Sequence, residues 1–87
     1  MYVVEFTEEA QNDVLLLQRH NPQAVKKLAK LIAELREHPR TGTGQVEQLK
    51  HYKNETWSRR ITREHRLVYE IHDDQVLVIV VSSYGHY

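Results

Sequence analysis

The chain has 87 residues, 12 basic and 12 acidic side chains, and no cysteine. This length is typical of one small domain, so we expect a single unit over residues 1–87. The hydrophobic content of 40% and charged content of 28% argue against a disordered chain. Disulfides and thiolate metal ligands are excluded, and no apolar run approaches the length of a membrane span. We therefore expect a soluble cytoplasmic protein that makes no membrane contact.

Two helices follow a short first strand in the predicted order. Alternating apolar residues predict a strand over residues 2–6. Thr7 has the properties of an N-cap, and the helix after it is expected to end near residue 18. Asn21 before Pro22 is typical of a second helix start, and helical apolar spacing extends that helix to about residue 37. The apolar side chains expected to face the core are Ala10, Val14, Leu17, Val25, Leu28, Ala29, Ile32 and Leu35.

The remainder of the chain is predicted to be β structure, beyond a glycine-containing connector at residues 40–46. Strands are expected over residues 47–50, 56–62, 66–71 and 76–81. The last strand is continuously apolar, which is typical of a central strand covered on both faces. The order β-α-α-β-β-β-β predicts an α+β fold with a helical hairpin packed on one face of a mostly antiparallel sheet.

Side-chain alternation in two of these strands predicts a pair of arginines on one face. If Ile61 and Leu67 meet the helices, Arg60 and Arg66 point to the opposite, open face of the sheet. Two guanidinium groups on an open face would form a phosphate clamp. The alternative is that these exposed arginines pair with Glu70 or Glu64 for little energy.

Charge is unevenly distributed along the chain. Residues 50–66 carry six Lys or Arg side chains against Glu55 and Glu64, a local excess of +4. A basic patch of this kind can bind a polyanion although the whole protein is neutral. It is also consistent with a solvated strand pair with charged outward faces, or with a plain RNA- or DNA-binding module without turnover.

Four motifs stand out: EQLKH at residues 47–51, WSRRIT at 57–62, EHRLVY at 64–69 and the terminal His86-Tyr87. Together with the β-α-α start, they resemble the YoeB/Txe branch of the RelE superfamily of toxin–antitoxin mRNA interferases. The resemblance covers nearly the whole chain and implies a compact microbial-ribonuclease-like (RelE-type) fold. It also implies a toxin of a type II toxin–antitoxin system that cleaves mRNA in the ribosomal decoding site. A cognate antitoxin of the YefM/Axe type would neutralise it.

The resemblance assigns chemical roles to individual residues. Metal-free RNA cleavage needs a base for the 2′-hydroxyl proton, cations for the phosphorane charge and an acid for the leaving 5′-oxygen. Glu47 matches the base, Arg60 and Arg66 match the cations, and His86 matches the acid, since an unperturbed imidazole titrates near pH ~6.5. Tyr87 matches a terminal aromatic that positions a base or sugar. Further RNA contacts are expected from Lys50, His51 and Arg59.

No cofactor and no metal are expected, because the six histidines are scattered without ligand spacing. The expected partners are mRNA on the ribosome, the antitoxin, and operator DNA only as a toxin–antitoxin complex; a homodimer is left open. One departure from the family pattern is Tyr84, where members often carry a basic residue; the last strand is also about two residues longer than usual. The alternative function is a non-catalytic toxin that binds a target such as DNA gyrase.

Overall fold

The computed structural model describes residues 1–85, and the predicted order of elements is confirmed. His86 and Tyr87 lie outside the described residues. The elements are β1 (Val3–Phe6), α1 (Glu8–His20), α2 (Pro22–Glu37), β2 (Glu47–Leu49), β3 (Thr56–Arg60), β4 (Arg66–His72) and β5 (Leu77–Ser82), with a 3₁₀ turn at Asp73–Gln75 before β5. Among the described residues, no helix is long and apolar enough to cross a membrane.

Both helices begin at the caps that the sequence predicts. The Thr7 hydroxyl accepts a hydrogen bond from the Ala10 N–H at 3.1 Å. The Asn21 side chain accepts from the Ala24 N–H at 3.3 Å, while its own N–H donates to the Leu17 carbonyl at 2.7 Å. Asn21 therefore ends α1 and starts α2, because its side chain and backbone satisfy polar groups of both helix ends. This short connection makes the two helices an antiparallel hairpin.

The sheet is mixed, with the order β1-β5-β4-β3-β2. β1 runs parallel to β5, and the other neighbours are antiparallel. β5 is thus an internal strand, as its apolar sequence predicts. Its two faces differ, however, since Val78 and Val80 are fully buried whereas Leu77 and Ile79 are only partly buried. The helices cover one face of the sheet, so the prediction of a strand covered on both faces is wrong.

The buried face of α2 differs in part from the predicted one. Ala24 and Leu31 are buried together with the expected Leu28 and Leu35, whereas Ala29 is exposed. The observed spacing follows one continuous stripe along the helix, with Val25 and Ile32 at its margin. On α1, Ala10 and Leu17 are buried as predicted. This stripe packs on the sheet around Leu67, Tyr69, Ile71, Val78 and Val80.

A polar network joins the connector after α2 to the residue before β3 and to the 3₁₀ turn after β4. Arg40 donates to Glu55 from Nε at 2.8 Å and from Nη2 at 3.0 Å, and Nη2 also lies 2.6 Å from Asp73. The Trp57 indole N–H donates to the same Glu55 carboxylate at 2.7 Å. These hydrogen bonds, with that from Arg40 largest, lower the pKa of Glu55. The pKa of Asp73 is also lowered, first by a hydrogen bond from the Tyr2 hydroxyl and then by Arg40.

Candidate active site

Arg60 at the end of β3 and Arg66 at the start of β4 are directly opposite each other in the antiparallel pair. Both side chains therefore lie on one face, and this face is opposite to the one on which Leu67 and Tyr69 pack under the helices. The predicted shared face is confirmed. Two like charges directly across a strand pair repel each other, which makes the position favourable for an anion that contacts both.

The Arg66 side chain is oriented by two neighbouring segments. Its Nη2 donates to the Ser58 hydroxyl at 3.1 Å and to the Gln45 carbonyl at 3.3 Å. Ser58 is fully buried, and Gln45 has a positive φ of 52°, a conformation that non-glycine residues seldom adopt. A strained backbone at this position directs a carbonyl towards the arginine. The guanidinium is thus held from β3 and from the loop before β2.

Glu47 shares this open face. It begins β2 and is the register partner of Ser58, which lies two residues before Arg60 on β3. A cavity of about 300 Å³ is lined by Gln45, Val46, Glu47 and Arg66. The structure therefore brings the predicted base and one predicted cation to the same cavity, with Arg60 across from Arg66 on the same face. A carboxylate and two guanidinium groups in this arrangement can accept a proton and stabilise developing negative charge on a phosphate.

The end of the described chain lies beside Arg66. The Arg66 backbone N–H donates to the carbonyl of Gly85 at 3.0 Å. Gly85 is the residue before His86 in the sequence. The predicted acid His86 and the predicted aromatic Tyr87 themselves lie outside the described residues, so their roles stay predictions.

Lys50 and His51 are exposed, directly after β2. The predicted RNA contacts of these two residues stay predictions. Glu70, one of the acidic residues that would pair with the arginines in the alternative interpretation, instead contacts His72 at 2.9 Å.

Arg59 requires a correction, because its side chain has no exposed surface. Its Nη1 lies 2.9 Å from Glu34, its Nε donates to the Tyr69 hydroxyl at 3.0 Å, and its Nη2 donates to the carbonyls of His38 and Thr41 at 2.6 and 2.7 Å. Alternation places Arg59 on the helix-facing side of β3, opposite Leu67. The predicted RNA contact of Arg59 is wrong, because its guanidinium is buried and all three of its nitrogens already contact protein groups.

Sequence reasoning did not identify Ser58 or Gln45 as parts of the site. The signal for Ser58 is its spacing of two residues from Arg60, which puts both side chains on one face. For Gln45 there is no comparable signal, because its contribution is a backbone carbonyl in a loop. Within residues 1–85, no group of three or more His, Cys, Asp or Glu side chains is arranged to hold a metal ion.

Comparison with known proteins gives a consistent result. The family model described as "YoeB-like toxin of bacterial type II toxin-antitoxin system" matches residues 6–87. The chain is similar to Toxin YoeB of Escherichia coli, with 45% identity over 73 residues that cover 84% of this chain and 87% of the relative. It is also similar to the structure of a YoeB/ParE toxin from Agrobacterium tumefaciens, with a TM-score of 0.88, 33% identity and full coverage of both chains. A YoeB–YefM complex from Staphylococcus aureus matches with a TM-score of 0.81 and 32% identity, over 100% of this chain and 99% of the other.

Proposed function

Because this chain belongs to the YoeB-like toxins of bacterial type II toxin–antitoxin systems, we propose that it is a metal-independent endoribonuclease that cleaves mRNA in the decoding site of the ribosome. The observation that carries this proposal is the cavity shared by Glu47 and Arg66, with Arg60 directly across from Arg66. A carboxylate and two cations on one face meet the needs of phosphodiester transesterification.

In the proposed reaction, Glu47 accepts the proton of a ribose 2′-hydroxyl, and the resulting oxygen attacks the adjacent phosphorus. Arg66 and Arg60 stabilise the added negative charge, which suits a planar guanidinium that engages two phosphate oxygens and stays ionised. His86 donates a proton to the leaving 5′-oxygen as the P–O bond breaks. The products are a 2′,3′-cyclic phosphate and a free 5′-hydroxyl.

The position of Gly85 supports the assignment of the acid to His86. The Gly85 carbonyl accepts from the Arg66 N–H at 3.0 Å, and successive Cα atoms are only about 3.8 Å apart. The described chain therefore ends beside the strand start that carries Arg66. Tyr87, Lys50 and His51 are proposed to contact the RNA around this centre.

Two properties of the chain support dependence on the ribosome. Its formal net charge is zero, so long-range attraction of free RNA is weak. Its cavity of about 300 Å³ is at the lower end for ligand sites, so it leaves little space to enclose an RNA strand. We propose that the ribosome positions the message and that the toxin supplies the catalytic groups. We propose that it acts in the cytoplasm, where ribosomes translate.

The proposed protein partner is a YefM-like antitoxin, because the similar Staphylococcus aureus YoeB is assembled with YefM. Binding of operator DNA is proposed only for the toxin–antitoxin complex. A homodimer stays a prediction.

The test is mapping of RNA ends in a translating extract. Addition of the wild-type protein should produce cuts within ribosome-bound mRNA, with free 5′-hydroxyl ends, and the same RNA without ribosomes should stay intact. His86→Gln, Glu47→Ala and Arg66→Ala should each abolish the cuts. Intact transcripts in the presence of folded wild-type protein would contradict the proposal. Full growth arrest by the His86→Gln variant would support a non-catalytic toxin instead.

A further inference from the structure

A cluster of contacts holds the segment between β5 and the end of the described chain. The Tyr84 ring stacks on the His65 imidazole with centroids 4.3 Å apart and an interplanar angle of 25°. The Nδ1 atom of the same imidazole accepts a hydrogen bond from the Gly85 N–H at 2.8 Å. We call these three residues, His65, Tyr84 and Gly85, the tail contact. The tail contact includes Tyr84, the residue at which this sequence departs from the family pattern. Tyr84 has no role in the proposed reaction.

The residue before the tail contact is fixed separately on α1. Ser83 is fully buried, its N–H donates to the Asp13 carboxylate at 3.1 Å, and its hydroxyl donates to the Ala10 carbonyl at 3.1 Å. The path of the chain beyond Ser83 is therefore decided at Tyr84 and Gly85. Gly85 has a φ of +81°, which permits a change of direction that other residues seldom make.

The hydrogen bond at His65 depends on its protonation state. Nδ1 can accept from the Gly85 N–H only while it carries a lone pair, so the neutral ring must have its proton on Nε2. A protonated imidazole has N–H groups at both nitrogens and would direct a donor at the Gly85 donor. Protonation of His65 therefore breaks this contact.

The groups near His65 come from the tail, from α1 and from its own turn. Tyr84 from the tail covers one face of the ring, and His20 at the end of α1 lies beyond it, with its ring 6.2 Å from that of Tyr84. The sequence neighbours of His65 are Glu64 and Arg66, and its backbone N–H donates to the Thr62 hydroxyl at 3.1 Å. The backbone of His65 is thus held by the β3–β4 turn, and its side chain is available to hold the tail.

We infer that His65 is a positioning residue, whose neutral imidazole, together with Tyr84, fixes Gly85 beside Arg66 and so sets where the last two residues begin. The effect of His65 on RNA cleavage rests on the proposed function, because His65 would act through the proposed acid His86. Acidification releases Gly85 as His65 becomes protonated, and this adds a dependence on pH that is separate from the ionisation of the proposed acid.

Two substitutions at His65 separate its acceptor from its ring. In His65→Asn the side-chain oxygen takes a position close to that of Nδ1 and can accept from Gly85, whereas His65→Phe keeps a ring for Tyr84 without an acceptor. Hydrogen exchange at the Gly85 amide, measured by NMR as a protection factor, reports on the contact without any RNA. The Ser83 amide, held by Asp13, is the internal control for folding.

We expect the Phe variant to lower the protection of Gly85 by about 3- to 10-fold, the equivalent of one hydrogen bond, while the Asn variant keeps it. In the wild-type protein, protection of Gly85 should be lower in acid, because a protonated His65 ring cannot accept this hydrogen bond. The Asn variant should not show this fall. In cleavage assays His65→Phe should have a lower kcat than the wild-type protein, with little change in KM. His65→Asn should keep the wild-type kcat.

Equal protection of Gly85 in wild type and in the Phe variant, or protection of Gly85 that does not change with pH, would overturn the inference. If the wild-type protein cleaves mRNA although the protection of the Gly85 amide does not change with pH, the proposed function stands and only the tail contact is overturned. Absence of cleavage together with the expected amide behaviour would instead overturn the proposed function and support the tail contact.

Discussion

The guanidinium of Arg59 and the carboxylate of Glu34 lie 2.9 Å apart beneath the loop that leads into the candidate site. The same carboxylate accepts from the Thr43 N–H at 2.8 Å, and this backbone hydrogen bond is the largest cause of the lowered pKa of Glu34. Beyond Thr43, the Gly44 carbonyl accepts from the Arg60 N–H. This ion pair, in which Arg59 is buried and Glu34 is partly exposed, therefore holds the loop against β3, next to the residues that line the cavity.

Removal of the buried cation should destabilise the fold. In Arg59→Met the Glu34 carboxylate and the carbonyls of His38 and Thr41 lose a partner inside the protein. We expect the free energy of unfolding to fall by about 3–5 kcal/mol, because several polar groups around the buried Arg59 each lose a hydrogen bond. Urea denaturation followed by circular dichroism measures this change.

The neighbouring arginine is a matched control. Arg60 is exposed at the end of β3, so Arg60→Met should change the free energy of unfolding by no more than about 0.5 kcal/mol while it lowers RNA cleavage. A similar loss of stability in both variants would contradict the assignment of different roles to the two residues.

Ser58 should affect activity more than stability. Its hydroxyl accepts from Arg66 Nη2 at 3.1 Å, so Ser58→Ala leaves the guanidinium less well oriented. We expect a lower kcat for mRNA cleavage, with a cost in stability of about 1 kcal/mol for one hydrogen bond. In an Arg66→Ala background the same substitution should cost less stability than in the wild-type protein, because the Ser58 hydroxyl has already lost this partner. Additive effects in this cycle would show that Ser58 acts elsewhere.

Gly44 should tolerate no side chain. Its φ is +98°, and a Cβ atom there would lie 3.0 Å from the Arg60 carbonyl oxygen and 3.2 Å from the Arg59 Cβ. We expect Gly44→Ala to lower the free energy of unfolding by about 2–4 kcal/mol, from backbone strain and from displacement of β3. Gly85→Ala is the control, because φ is +81° but no atom lies within 4 Å of the added Cβ. Gly85→Ala should lower the free energy of unfolding by only about 1–2 kcal/mol. An equal loss in both variants would argue against a steric clash at Gly44.

Acid should weaken the fold through Glu34 and Glu55. Because the pKa of each is lowered from 4.5 in the folded state, the unfolded chain binds protons more readily. Their contribution is present above pH 4.5 and is lost as the pH falls through the lower folded values. Arg40→Met removes the main cause of the shift at Glu55, so stability should depend less steeply on pH below 4.5.

Urea denaturation at a series of acidic pH values measures this slope. Arg63→Met, at an exposed position in the β3–β4 turn, removes the same charge and is the control that should keep the wild-type slope. An Arg40→Met protein with the wild-type slope would count against the role of this pair.

Local chemistry in the sequence determined the helices and much of the candidate site. Thr7 and Asn21 are caps whatever the rest of the chain does, because they satisfy neighbouring backbone groups. Strand alternation likewise puts Arg60 and Arg66 on one face, because the short turn between β3 and β4 fixes the register in which these two residues pair. The family motifs then pointed to Glu47, which the structure places at the cavity with Arg66.

Only the tertiary structure decided the role of Arg59 and the convergence on Arg66. Alternation puts Arg59 on the buried side, but a buried cation is unfavourable unless partners meet it there. Most of those partners, Glu34 among them, lie 18 to 25 residues earlier in the chain, and no local pattern reports them. In the same way, Gln45 and Gly85 reach Arg66 from distant parts of the chain through backbone atoms, which every residue possesses. A backbone contact between residues that are distant in sequence does not depend on residue type. The sequence therefore gives no sign of it, and only the fold specifies it.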